Sequence, residues 1–318
     1  MYATKALKNV PVNVTLIDKR NFHLFQPLLY QVATGGLSPG DITSPLRAVF
    51  KRRKRVRVVM DEVVDIDPSR KKVLTREGRY SYDTLVLATG VTSSYFGHDD
   101  WRDKAYDLKT IEDALEMRER VLTAFEAAEI TNDDAERKAC LTFVIVGGGP
   151  TGVELAGALA ELCQQTLKNE FRAINTGTAR IFLIEASERL LQSFPSFLSR
   201  KAAEVLGKRG VTVLGNSIVS VIDKSGVLIK TKNREEKLET RTVLWAAGIE
   251  VTPLGKMLAE KIGVKTDRLG RLTVRADLSL EGEPDIFVIG DLALAKDKNG
   301  EPLPGVAPVA MQQGKYVA

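Results

Sequence analysis

Residues 147–152 read Gly-Gly-Gly-Pro-Thr-Gly, so Gly147, Gly149 and Gly152 stand in the spacing G-x-G-x-x-G. A continuous apolar run, residues 141–146, precedes them, and a helical pattern extends from Val153 to about Leu167. Between a strand and a helix this spacing has a physical purpose. The first glycine makes the tight turn, the second lets the backbone approach a pyrophosphate, and the third lets helix and strand pack closely. The helix N-terminus then offers free N–H groups and the positive end of its dipole to the phosphates. Pro150 and Thr151 lie inside the same loop and belong to the candidate set. Glu185 ends the next apolar strand, residues 179–184, where a carboxylate can accept hydrogen bonds from both hydroxyls of an adenosine ribose. It would repel a 2′-phosphate, which favours NADH over NADPH, although Arg189 nearby pulls the other way. The bland alternatives are a ligand-free turn and an ordinary strand-end acid. The interval from Gly147 to Glu185 is long, 38 residues where about 20 is common, and the excess is assigned to an extended helix plus loop around 168–178.

The elements that must hold these residues occur twice. Val12 to Asp18 repeats the pattern of 179–185, an apolar strand ending in an acid. Residues 82–90, ending Ala88-Thr89-Gly90, have their counterpart in 240–248, which ends Ala246-Ala247-Gly248. A β-rich stretch with turn signals precedes each: 62–67 and 71–74 in one copy, 218–223 and 226–229 in the other. Two copies in the same order predict an α/β fold with two Rossmann-like dinucleotide-binding domains, each carrying an inserted β-meander. In the first copy Asp18 is the ribose acid, and by the usual spacing its strand and glycine loop fall before residue 1. Residues 3–9 then read as the end of a crossover helix.

The composition removes other classes. With 318 residues, 44% hydrophobic and 27% charged, the chain is long enough for two cores and is not disordered. A net charge of +5 is too small and too diffuse for a nucleic-acid partner. The basic run at residues 51–57 reads as a solvated helix end leading into a strand. Cys140, opening an apolar strand, and Cys163, within a helical pattern, match no disulfide, redox or metal spacing and indicate a reducing compartment. His23 and His98 leave no histidine cluster, so no metal is expected, and no apolar stretch reaches membrane-spanning length.

Residues 21–35, Asn-Phe-His-Leu-Phe-Gln-Pro-Leu-Leu-Tyr-Gln-Val-Ala-Thr-Gly, resemble a signature stretch of the type II NADH dehydrogenases. The stretches 88–90, 289–291 and 309–314 and the glycine loop with Glu154 resemble the same family, so the likeness runs over essentially the whole chain. The family comprises single-subunit, FAD-containing NADH:quinone oxidoreductases. The resemblance implies an FAD domain in two pieces, 1–112 and 273–318, around an NADH domain, 113–272. It implies FAD contacts at Asp18, His23, Phe25, Pro27, Val63, Ala88, Thr89, Gly90, Gly290, Asp291, Ala310 and Met311. NADH contacts would add Ala247 and Gly248 to the loop and Glu185. Asp291, at the end of an apolar strand, would accept from a ribityl hydroxyl, and the helix from Pro308 would point its positive end at the flavin. Glu154 would take part in hydride transfer or proton handling, against a plain reading as a first-turn helix acid. Gln312 is the second candidate catalytic residue, with simple helix polarity as the alternative for either Gln312 or Gln313.

Three departures qualify the likeness. The first glycine loop precedes residue 1, the membrane-docking segment of the family lies beyond Ala318, and Pro308 stands where the family's quinone motif has its first glutamine. The expected partner is a quinone, reached through peripheral association at the cytoplasmic face of the inner or plasma membrane, with a homodimer allowed. The alternatives are a ferredoxin- or rubredoxin-type NADH reductase and a non-enzymatic NADH-binding sensor. Disulfide reductases and sulfide:quinone oxidoreductases are disfavoured, because neither cysteine suits redox chemistry beside a flavin.

Overall fold

The structure is a computed structural model that describes all of residues 1–318. The chain divides into two units. One comprises Met1–Leu24, Thr43–Thr92 and Ile249–Ala318, the other Phe25–Ile42 and Ser93–Gly248.

The second unit is built on a five-stranded parallel sheet in the order Ala105–Tyr106, Thr242–Trp245, Thr142–Val146, Arg180–Ile184 and Val211–Leu214. All five residues of Thr142–Val146 are buried, which accounts for an unbroken apolar run in a strand covered on both faces. Helix Ile111–Ile130 turns Ile111, Ala114, Met117, Val121, Phe125 and Ala128 inward at helical spacing. It starts with a reciprocal cap: Thr110 Oγ1 accepts from the Asp113 N–H at 3.2 Å, and Asp113 Oδ2 accepts from the Thr110 N–H at 2.7 Å. The expected meander is present as Ile218–Asp223, Gly226–Lys230 and Glu235–Glu239. Its Val219, Ile222, Val227, Ile229 and Leu238 form a core with Tyr95, Trp101 and Trp245. Most of the signature stretch serves this unit, since the helix Leu29–Ala33 buries Leu29, Val32 and Ala33 against Ile111–Ile130 and Pro150–Glu161.

In the first unit, Val14–Asp18 pairs in parallel with Val56–Met60. A meander of Val63–Asp67, Lys72–Thr75 and Arg79–Ser81 follows. Leu85–Leu87 then lies parallel to Glu283–Val288, so residues 88–90 and 290–291 leave neighbouring strands at the same end. The core gathers Ile66, Leu87, Val251, Leu258, Leu272, Leu280, Ile286, Val288 and Leu292.

The compact units divide after Leu24, Ile42, Thr92 and Gly248, whereas the expected division at 112 and 272 is one by cofactor. The buried Val251, Leu258 and Ala259 tie residues 249–272 to the core of the first unit. Cys140 ends a helix, Asp134–Cys140, and does not open the strand. Asp133 caps that helix by accepting from the Ala135 N–H at 2.8 Å. Nor is 168–178 an extension of the glycine-loop helix. Pro150–Glu161 passes into one wide turn, Leu162–Thr166, and stops. The Glu129 carboxylate then accepts from the backbone N–H groups of Arg172, Ala173 and Ile174 at 2.9–3.1 Å. A distant acceptor thus satisfies donors that a helix would otherwise have used, and these bonds hold the Glu129 carboxyl below the usual range.

Replacing Thr110 by Val removes the cap acceptor at nearly constant volume. The variant is expected to lose about 1 kcal/mol of stability, read as a lower urea midpoint for the full-length protein, with the slope unchanged.

Candidate dinucleotide site

The glycine loop shows why each of its glycines is there. Gly147 adopts φ +110, and a Cβ on it would fall 2.7 Å from the Ala246 and Ala247 backbone. A Cβ on Gly152 would lie 1.8 Å from the Gly147 carbonyl oxygen, so the helix meets the strand at a distance only glycine permits. Gly149 caps the helix and has open space where its side chain would be. That open face, at the start of a helix without a side-chain cap, is the fit expected for an approaching pyrophosphate.

Glu185 is fixed by the loop itself. Its Oε2 accepts from the Gly148 N–H at 2.7 Å and its Oε1 from the Ser187 N–H at 2.8 Å. The sequence reading passed over Gly148, yet a Cβ there would stand 2.5 Å from Leu190 and 3.0 Å from Glu185. The carboxylate is thereby held beside the loop, with lone pairs left for ribose hydroxyls. Arg189 is engaged elsewhere. It donates to the Phe194 carbonyl at 2.8 Å, the Gln192 carbonyl at 2.8 Å and Ser199 Oγ at 2.6 Å. These bonds fix where the Arg189 guanidinium sits and leave its charge in place. Ala247 and Gly248 continue from Thr242–Trp245, and Gly248 has φ +73 with a notional Cβ 2.5 Å from the Ser94 carbonyl. Pro150 and Thr151 form the first helical turn. Glu154 sits one turn further, exposed and without an ion pair. The protein crowded around its carboxyl still raises its pKa through lost hydration.

In the first unit, Gly290 turns with φ +72 and donates its N–H to Gln313 Oε1 at 2.6 Å. Ala310 approaches to 3.5 Å of the place a Gly290 Cβ would take, and a Cβ on Gly305 would come 3.3 Å from Asp291. Gly290, Asp291, Ala310 and the start of helix Ala307–Tyr316 therefore share one corner. Pro308 occupies the first turn, where its missing N–H would have been unpaired anyway. Of the two glutamines, Gln312 is exposed and Gln313 buried. Gln313, which the sequence reading left undecided, holds the Gly290 turn, while Gln312 and Met311 follow along the helix. Ala88, Thr89 and Gly90 leave the adjacent strand, and Thr89 Oγ1 lies 3.0 Å from Thr252 Oγ1. Asp18 ends its strand and accepts from the Arg20 N–H at 2.8 Å, and loss of water raises its pKa. This corner fits the ribityl and flavin end of an FAD: it offers a carboxylate, a left-handed glycine turn and an uncapped helix start. Val63 pairs with Thr75 in the meander. The signature trio is divided, with half-buried His23 in the strand Phe22–Leu24 of the first unit and exposed Phe25 and Pro27 in the second. Burial lowers the His23 pKa.

Both thiols are buried. Burial pushes Cys140 up to about 11 and Cys163 up to about 12, so neither is a thiolate at neutral pH. No group of three or more histidines, cysteines or acids is placed to hold a metal ion, and no helix is long and apolar enough to cross a membrane.

The sequence pattern described as "Pyridine nucleotide-disulphide oxidoreductase" matches residues 1–314. Among curated proteins, the chain is 45% identical over 320 residues to "Type II NADH:quinone oxidoreductase NdhA" of Mycobacterium tuberculosis, covering 99% of this chain and 67% of that protein. It is 34% identical to the "Type II NADH:quinone oxidoreductase" of Staphylococcus haemolyticus, with 99% and 76% covered. Among solved structures, NDH2 from Plasmodium falciparum in complex with NADH superposes with a TM-score of 0.82 at 29% identity, over 88% of this chain and 59% of that one.

Two glycine substitutions separate binding from folding. Gly149→Val, projecting into open space, is expected to leave the fold and any bound flavin intact and to abolish NADH binding in calorimetric titration. Gly152→Ala is expected to lower the melting temperature by several degrees, because its methyl group has no room against the Gly147 carbonyl.

Proposed function

Because the chain belongs to the pyridine nucleotide-disulphide oxidoreductases, and within them to the type II NADH:quinone oxidoreductase family, we propose that it oxidises NADH through a bound FAD and delivers the electrons to a quinone. The observation that supports this reading is the glycine loop with Glu185 accepting from the Gly148 N–H at 2.7 Å, which would set the carboxylate beside the loop for an adenosine ribose.

FAD, when bound, would supply the redox chemistry: uptake of a hydride and release of two electrons. The chain's own residues bind and orient. The N–H groups at the start of Pro150–Glu161 receive the pyrophosphate, and Glu185 accepts from the ribose hydroxyls and rejects a 2′-phosphate. Asp291 and the Gly290 turn receive the ribityl side, with Gln313 keeping the turn in place. Asp18 receives the FAD ribose, while Val63, Ala88, Thr89, Gly90, His23, Phe25, Pro27, Ala310 and Met311 line the flavin cofactor. Glu154, whose pKa is raised by lost hydration, is assigned to hydride transfer or proton handling, and Gln312 to the acceptor side. The domains on this reading keep the 1–112, 113–272 and 273–318 division by cofactor. On this reading the protein works as a peripheral protein at the cytoplasmic face of the membrane that holds its quinone.

Steady-state oxidation of NADH by the full-length protein with a soluble quinone tests the proposal. Wild type should prefer NADH to NADPH; no quinone-dependent oxidation would reject it. Glu185→Ala is expected to raise KM for NADH about tenfold or more, as a charge-assisted pair is lost, and Glu185→Arg to improve the use of NADPH. Glu154→Gln should slow flavin reduction more than it weakens NADH binding. A change in affinity alone would leave Glu154 as a helix-turn acid.

A further inference from the structure

Tyr95 and Phe96 are consecutive aromatic residues with opposite fates. Tyr95 is 2% exposed, stacks on Trp245 at 5.1 Å between ring centres, and donates its hydroxyl to the Ala105 carbonyl at 2.8 Å. Phe96 is 65% exposed and sits at φ +54, a left-handed conformation that a bulky side chain rarely adopts. Its backbone N–H donates to Ser94 Oγ at 3.3 Å, and Gly97 continues the turn at φ +91. The cost of that backbone is not offset by burying the ring. The ring meets the edge of Trp245, 6.1 Å between centres, and its Cζ stands 2.7 Å from where a Gly248 Cβ would be.

The order of strands says which part of a ligand this ring would meet. The glycine loop leaves the central strand Thr142–Val146. Glu185, the ribose acceptor, leaves the neighbour on one side, and Ala247–Gly248 leave the neighbour on the other, Thr242–Trp245. A dinucleotide with its pyrophosphate over Gly149 and its adenosine at Glu185 carries its other half past Gly248. We propose that Phe96 is a ligand-positioning residue whose ring walls the nicotinamide–ribose half of NADH beside Gly248. The proposal rests on the NADH-binding reading of this loop. A flat apolar ring there orients a flat heterocycle at little entropic cost, since the strained turn and Trp245 already restrict it.

The test uses Phe96→Gly and Phe96→Tyr in the full-length, flavin-loaded protein. Binding is read by quenching of tryptophan emission, because both tryptophans of the chain, Trp101 and Trp245, belong to this cluster. Glycine suits the left-handed backbone, so Phe96→Gly should keep or raise the melting temperature. It should weaken NADH binding about threefold to tenfold, leave binding of ADP unchanged, and be rescued by Phe96→Tyr. Equal loss for NADH and ADP would mean that the turn itself had collapsed, and unchanged NADH affinity would mean that the ring touches no ligand; either overturns the proposal. Failure of wild type to bind NADH would instead reject the underlying reading.

Discussion

The contact between Gly152 and the carbonyl of Gly147 sets the geometry of the second unit. With a notional Cβ only 1.8 Å from that oxygen, the helix Pro150–Glu161 starts against the end of the central strand. Only from there can its N-terminal N–H groups face a phosphate while Gly149 remains open above them. The same turn puts the Gly148 N–H within 2.7 Å of Glu185, joining the acid of the next strand to the loop. Fully buried Thr142–Val146 supplies the rigidity, held between strands on both sides. A few atoms of clearance thus link a packing constraint to the candidate binding surface.

Much of this was legible from spacing. The G-x-G-x-x-G run between an apolar strand and a helical pattern has few other physical explanations, and the duplicated strand–meander–strand order was visible as repetition. What escaped depends on partners distant in sequence. Glu129, about forty residues away, gathers the N–H groups of 172–174, so the polar stretch after Thr166 is a pinned loop where local pattern suggested more helix. Gln313 and Gln312 are indistinguishable on paper; only the helix phase sends one to the Gly290 turn and the other to solvent. Gly148 read as the variable position of the motif, yet it is the residue that holds Glu185.

Electrostatics sharpen the chemistry that remains. Burial raises Cys140 to about 11 and Cys163 to about 12, away from the thiolate form that disulfide exchange uses. Arg189 is held by the Phe194 and Gln192 carbonyls and by Ser199 Oγ, while Glu185 is held by the N–H groups of Gly148 and Ser187. The curated relatives at 45% and 34% identity are NADH:quinone oxidoreductases by name.

The most direct test is an anaerobic titration of the full-length, flavin-loaded protein with NADH, followed in the visible absorption of the flavin. The band should bleach in proportion to added NADH and return when a quinone is supplied. A flavin band that persists through excess NADH would contradict the assignment of this chain as an NADH dehydrogenase.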